Sequence, residues 1–404
     1  MLRRFFNTDS FFTLLLTFAA MQVLQLVALR VDFLNPLARS IADFHLTDVV
    51  FSGLRTVERT DTNIVLVNIA ELNRAEIARQ IRRITDVSPK VIGIDAFFLR
   101  EKSPELDDNL AAALSNAPNV VLCSKIRYNA GSARFDAPIY SHQKFSHGKA
   151  SGFANLINED ETDYKTVRKF SPVEQAGEKQ ELCFAAAIAK IADSAATARL
   201  LRRGNYLETI NFTGNYGRFY TLDANTLLDD SADLSFAHNK IVVFGYLGRY
   251  LGQTDLTDRF FTPLNERPAG RTLPDMYGVV IHANIISMIL REDYVNVIPD
   301  WSEITLNICM AYCFIVLFNW LYVYKSRWYD TVSVLVQLGL SLFLLLCQYL
   351  LFELYRFNLG LSLCVIIIAL SGNVLEVYHD IIKNFVRNTH FFCKRKRSPD
   401  ICNE

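Results

Sequence analysis

Lys90-Val91-Ile92-Gly93-Ile94-Asp95 sets an unbroken apolar run between a lysine and a carboxylate. The run has strand length and no polar alternation, so it reads as a strand buried on both faces. Working outward, residues 74–86 carry Ile77, Ile81 and Ile84 at helical spacing on one face. Before them, residues 63–69 (NIVLVNI) form another apolar run of strand length. On the other side, residues 107–117 (DDNLAAALSNA) read as an Ala-rich helix with acids at its N-terminus, where the helix dipole favours them. Residues 119–123 (NVVLC) are a third buried strand. Strands of this type alternating with helices predict an α/β domain whose mainly parallel sheet is covered on both faces.

The pattern continues less regularly. Residues 129–149, rich in Gly, Ser, His and Lys, read as a surface loop, and structure resumes at 151–155. Residues 182–201 (LCFAAAIAKIADSAATARLL) predict a second Ala-rich helix. Lys190, Asp193 and Arg199 interrupt it too often for a membrane span. Residues 208–212 and 241–245 read as further strands, and residues 278–290 (GVVIHANIISMIL) as a largely apolar helix.

Two regions have a different character. Residues 11–29 hold no charge over 19 positions, and at 1.5 Å per residue they reach about 28 Å, close to the hydrocarbon thickness of a bilayer. The stretch is too long for the core of a cleaved signal peptide and lacks a small-x-small site, so it reads as a retained anchor. Three more spans follow at 302–324, 332–352 and 357–377, joined by connectors short enough to make antiparallel neighbours. Arg3 and Arg4 place the N-terminus in the cytoplasm, and four spans return the C-terminus there. Lys325, Arg327 and the run Lys394-Arg395-Lys396-Arg397 agree with that orientation. Trp301, Trp320, Tyr322, Tyr324 and Trp328 stand at span ends, as interfacial aromatics do.

The expected division is therefore a cytoplasmic N-terminus and first span at 1–29, an extracytoplasmic domain at 30–300, a three-helix bundle at 301–380 and a basic tail at 381–404. An inner bacterial membrane is the expected location. The full chain has 42 Lys+Arg and 42 Asp+Glu, a net charge of zero, whereas residues 30–300 hold 31 and 34, a net of −3. Neither balance suits a nucleic-acid binder, and no nucleic-acid partner is expected.

These pieces, in this order, resemble a CHASE class 2 domain, a sensory extracellular domain family. Leu46-Thr47-Asp48-Val49-Val50-Phe51 with Arg55 resembles its opening, and residues 63–70 its first strand. Asn68 stands where the family often has an acidic or other residue. Val91 to Phe98 resembles the apolar strand followed by Asp-x-x-Phe, and Asp107 with residues 110–114 the helix after it. Gly152-Phe153-Ala154-Asn155 with Asp160 resembles a Gly-Phe-x-Asn strand and turn, and Ile210-Asn211-Phe212 an Ile-Asn-Tyr strand. Residues 240–245, then Asp255, Asp258 and Thr262-Pro263, resemble the late Gly- and Asp-rich region. Residues 278–284 resemble the terminal Gly-Val-x-Ile-His-Ala-Asn helix. The likeness covers residues 40–380, and one span before the domain with three after it is typical of the family. It implies an extracytoplasmic sensor that signals through its spans to a cytoplasmic kinase or cyclase. Residues 381–404 form neither, so the effector is expected in trans.

Candidate site residues follow from the sheet. Ligands gather at the carboxyl ends of parallel strands. Asn68 and Asp95 end two predicted strands, Gly245 ends a third, and His282 and Asn284 lie on the last helix of the domain. Together they form a candidate small-ligand or cation site; the alternative is that they cap turns and satisfy buried backbone groups. Asp255 and Asp258, three residues apart, offer oxygen ligands without EF-hand spacing. Asp107-Asp108 reads as helix N-terminal charge rather than acid–base machinery. Cys123 and Cys183 sit in apolar runs and read as small hydrophobes, with a disulfide left open. No Cys/His spacing resembles a zinc site and the Gly-rich loops are too loose for phosphate, so no metal or cofactor is expected. Glu376, an ionisable residue inside a span, is a signalling candidate by default.

The leading functional expectation is a non-enzymatic receptor that binds a small ligand or an envelope protein outside and addresses a cytoplasmic effector, with a homodimer as its plausible form. The alternative is a non-signalling scaffold that holds an envelope partner. An extracytoplasmic enzyme using Asp95, Asp107 and His282 lacks nucleophile–base spacing. A transporter lacks an inverted repeat.

Overall fold

The computed structural model describes residues 8–30, 60–156, 166–253, 255–265, 273–324 and 329–383. Arg3, Arg4, the motif at 46–51 with Arg55, Asp160, the connector at 325–328 and the basic run at 394–397 lie outside the described residues. The chain divides into two compact units, 48–296 and the combination of 1–47 with 297–404.

The first unit is built on six parallel strands: β1 (Asp61–Asn68), β2 (Val91–Ile94), β3 (Val120–Ser124), β4 (Ala150–Phe153), β5 (Phe219–Leu222) and β6 (Ile241–Gly245). Their order across the sheet is β5-β1-β6-β2-β3-β4, and every pairing is parallel. Strand β2 is buried along its whole length, as its uninterrupted apolar sequence requires.

Helices α1 (Arg74–Asp86) and α2 (Pro104–Asn116) cover one face. There Ile77, Ile81 and Ile84 of α1 and Leu110 and Leu114 of α2 share a core with Ile92, Ile94, Leu122, Val242 and Phe244. Asn73 opens α1 with a capping box. Its side chain accepts from the Ala75 and Glu76 N–H groups, and the Glu76 carboxylate accepts from the Asn73 N–H. Asn73→Ala is expected to cost about 1 kcal/mol, read as a lower melting temperature with unchanged far-UV circular dichroism.

The other face is covered by α3 (Phe184–Ala192) and α5 (Gly278–Arg291), against which α4 (Ser194–Arg202) packs. The single helix expected over 182–201 is two, because Asp193 ends α3 and its carboxylate accepts from the Ala195 and Ala196 N–H groups to cap α4. Glycines let these helices approach. A Cβ on Gly93 would collide with Ile188 Cδ1, and one on Gly245 would lie 2.5 Å from Val279 Cβ.

Two further sequence expectations are revised, and one strand is new. The stretch 129–149 is not all loop: Tyr128–Asn129 and Arg134–Phe135 join Val173–Ala176 and Lys179–Leu182 in a separate four-stranded sheet. Residues 208–212 do not enter the main sheet; Glu208–Thr209 pairs antiparallel with Lys169–Phe170. The edge strand β5 leaves no clear signal in the sequence, because Phe219–Leu222 is short and mixes apolar with polar residues.

The second unit contains an N-terminal helix, Thr8–Arg30, and three helices long and apolar enough to cross a membrane: α6 (Asp300–Tyr324), α7 (Tyr329–Tyr355) and α8 (Ser362–Val377). The last begins at Ser362, not at 357, since Gly360 takes a left-handed φ of 63° just before it. Leu14 of the N-terminal helix packs with Ala311, Ile315 and Ile367. Polar side chains join the helices. Asn307 donates to the Gly360 carbonyl and accepts from the Cys364 N–H, and Asn319 donates to Ser10 Oγ at 3.0 Å.

Candidate functional site

Because the sheet is parallel, the carboxyl ends of its strands share one rim. Asn68 ends β1, Asp95 directly follows β2, Ser124 ends β3 and Gly245 ends β6. The Asp95 N–H is fixed by the Phe244 carbonyl at 2.8 Å. Alternation along the strands puts Gly93, Asp95 and the paired residues Cys123 and Gly152 toward the face covered by α3 and α5.

Asp258 reaches this rim from the loop that precedes α5. Its backbone is left-handed, with φ 55°, and its carbonyl accepts from the Gly278 N–H at 3.0 Å. Its carboxyl oxygens stand 3.2 and 3.3 Å from where a Gly278 Cβ would be. Asp258 thus lies over the first turn of α5, and Gly278 leaves it room.

The Asp258 charge acts on Asp95. Burial, then the Asp258 charge, pushes the Asp95 carboxyl up to about 7. Burial pushes Asp258 up to about 6, although this residue keeps the larger solvent contact of the two. Neither carboxylate has a cationic partner among the described residues. The Cys123 thiol, buried beside them, is pushed well up by burial and then by the Asp95 charge, so it stays protonated. The arrangement can take up a proton at the rim of the sheet beside the N-terminus of α5.

His282 sits one turn into α5, buried, with its ring edge-on to Phe184 at 5.3 Å. Burial lowers it to about 4, so the ring is neutral, and its Nδ1 makes no hydrogen bond. The remaining candidates are occupied within the fold. Asn68 accepts from the Ala70 and Leu247 N–H groups and donates to Asp223 and the Gly248 carbonyl. Asn284 accepts from the Thr213 and Gly214 N–H groups and donates to the Gly214 and Val280 carbonyls. Asp255 does not join Asp258. It accepts from the Tyr246 hydroxyl at 2.5 Å and from the Thr257 N–H, and these hold it down to about 2. Among the described residues no group of three or more His, Cys, Asp or Glu could hold a metal ion.

Asp107 is a structural group. Its buried carboxylate takes the Arg74 guanidinium and the Lys102 and Ser103 N–H groups, tying α2 to α1. Cys123 and Cys183 are both free and buried; the Cys183 sulfur accepts from the Ala186 N–H at the start of α3. Glu376 points outward from the last turn of α8. Sequence reading missed the place of Cys123 beside Asp95, because only the β2–β3 register brings it there.

The CHASE2 domain family matches the chain over residues 12–319. No curated protein matches it, and no solved structure does.

Proposed function

The chain belongs to the CHASE2 domain family, and from that premise we propose that it is a membrane-anchored sensor whose first unit binds a ligand or an envelope protein outside the cytoplasm. The bound state passes through the helices of the second unit to a separate cytoplasmic effector. The observation that carries this reading is the acidic rim, with Asp95 at the end of β2 and Asp258 over the first turn of α5, and no cationic partner for either among the described residues. Burial holds both carboxyls above their ordinary range, so the pair is poised to change state when a proton arrives. Helix α5 is also the last helix before the membrane helices in the chain, separated from α6 by residues 292–299. In this reading the N-terminal helix is a fourth span, both termini are cytoplasmic, and the inner membrane of a bacterium houses a homodimer.

A ligand moves such a receptor only through unequal affinity for two states. Polar contacts join the ends of the helices: Tyr322 donates to Asp380 at 2.7 Å, and Tyr378 donates to Asp9 at 3.1 Å. Affinity isolation of the full chain from crosslinked native membranes tests the proposal. The expected result is a chain–chain crosslink together with a cytoplasmic protein. A stable envelope complex with no cytoplasmic component would replace the sensor by a scaffold.

A further inference from the structure

The separate four-stranded sheet carries negative charge that nothing answers. Glu174 and Glu181 stand directly opposite each other there, in the antiparallel pair Val173–Ala176 and Lys179–Leu182. Paired residues share a face, and like charges set opposite each other destabilise a sheet. Both residues are buried, 8 % exposed, and neither has a cationic partner among the described residues. Lys179 lies on the same face at the turn, but it is exposed and bridges to neither.

The two carboxylates are not equally occupied. Glu181 accepts from the Ser124, Ser151 and Tyr140 hydroxyls, at 3.3, 2.9 and 3.2 Å. Glu174 accepts only from the Tyr206 hydroxyl, which donates to its Oε2 at 3.4 Å. The Glu174 Oε1 has no hydrogen bond among the described residues and is not closed off from the surface. Glu174 is therefore the carboxylate that can still take a partner.

Aromatic rings stand beside it. Tyr206 is 66 % exposed. Phe135 pairs with Ala176, two residues along from Glu174 and so on the same face, and Tyr128 pairs with Phe135. The Tyr128 and Phe135 rings are 5.4 Å apart with their planes at 71°, and Tyr128 is 56 % exposed. Burial, then the Glu174 charge, raises the Tyr206 hydroxyl, and Tyr128 adds to the rise, so both lie within electrostatic reach of Tyr206. Among the described residues no cation stands over any of these rings. Aromatic faces beside a carboxylate attract a cation, most strongly one that has shed its water. An ammonium with three N–H donors needs three acceptors to leave water, and this face offers one uncommitted carboxylate oxygen. A methylated ammonium needs no acceptor. We propose that this face binds a methylated ammonium ion, its charge against Glu174 and its methyl groups against Tyr206, Tyr128 and Phe135. The site uses neither carboxyl of the acidic rim.

The test uses the full chain in lipid nanodiscs and calorimetric titration with tetramethylammonium and choline, beside ethylamine and the neutral neopentyl alcohol. Saturable binding of at least one methylated ammonium is expected, with a Kd below about 1 mM and at least about tenfold tighter than either control. Glu174→Gln and Tyr206→Leu are each expected to weaken it at least about tenfold, and Tyr206→Phe, which keeps the ring, less. Thermal unfolding of each variant separates lost binding from lost folding, and the exposed Tyr206 keeps the test open if Glu174→Gln does not fold. No binding to about 10 mM, equal binding of ethylamine or of the alcohol, or full affinity in a folded Glu174→Gln or Tyr206→Leu protein overturns the proposal. The Asp95→Asn chain should bind as the wild type does; loss of binding there would place the ion at the acidic rim and overturn this site. The crosslink that tests the sensor reading does not depend on this binding, so the two can fail separately.

Discussion

Gly152→Val is expected to destabilise the first unit by about 3 kcal/mol or more, the usual upper range for overpacking a tight site. Valine is normally welcome in a strand, and Gly152 lies in the edge strand β4. Here, however, a Cβ would stand 2.8 Å from Phe184 Cα, 2.9 Å from Phe184 N and 2.9 Å from Ala187 Cβ. Two of these atoms are backbone of the first turn of α3 and have no rotamer to escape into. The helix must move off the sheet, and Phe184, fully buried against His282, moves with it. For a unit of this size the loss reads as a fall in melting temperature of about 10 °C. Gly217→Ala is the matched control, since nothing lies within 4 Å of its Cβ position, and it should stay within about 0.5 kcal/mol of wild type. A Gly152→Val protein that melts with the wild type would mean that α3 does not seat on β4 as described.

Asp95→Asn is expected to stabilise the protein at pH 8 by about 2 kcal/mol, and hardly at all at pH 4. A carboxyl raised to about 7 on folding keeps its proton in the native state after the unfolded chain has lost it. Between about pH 4 and 7 the native state therefore binds more protons, and stability falls as pH rises. Asparagine has no proton to lose, so the gap between variant and wild type opens across that window and is level above it. A rise of this size corresponds to about 4 kcal/mol, and the residue's partial contact with solvent reduces that to about half. His282 contributes the opposite slope. Held down to about 4, it costs stability as pH falls below about 6.5, but it is common to both proteins and cancels in the difference. Melting curves of both chains from pH 4 to 8 decide the matter. A pH-independent gap, or a variant less stable at pH 8, would show that burial does not hold the Asp95 carboxyl up in the folded protein.

Much of this is legible in the sequence. The runs at 63–69, 90–95 and 119–123 are apolar without alternation, and only a sheet buried on both faces uses such strands. The spans at 302–324 and 332–352 are legible because a bilayer imposes length and apolarity residue by residue. The start of the third span is not, since Phe357–Leu361 is as apolar as a helix while the turn is set by Gly360. The break at Asp193 is hidden for a related reason. An aspartate inside an Ala-rich run looks like a surface charge until its carboxylate is seen capping the next helix.

The candidate site divides in the same way. Sequence alone placed Asp95 at the end of a strand, which is a local fact about one hydrophobic run and its terminating residue. It also singled out Asp258, but paired it with Asp255 through their spacing. Tertiary structure separated those two: Tyr246 draws Asp255 away, while the left-handed turn at Asp258 lays its carboxyl over Gly278. Asn68 and Asn284 look like ligand groups until their partners are seen. For Asn68 those partners lie 155 and 180 positions away along the chain, and such bonds leave no local trace. What the sequence by itself determined is the buried strands at 63–69, 90–95 and 119–123 and the apolar spans at 302–324 and 332–352, since burial period and span length are written in neighbouring residues. Which carboxylates meet, which hydroxyls turn their hydrogens toward Glu181 and where a glycine must stay bare were decided by strand register and helix seating, which depend on contacts between residues far apart in the chain.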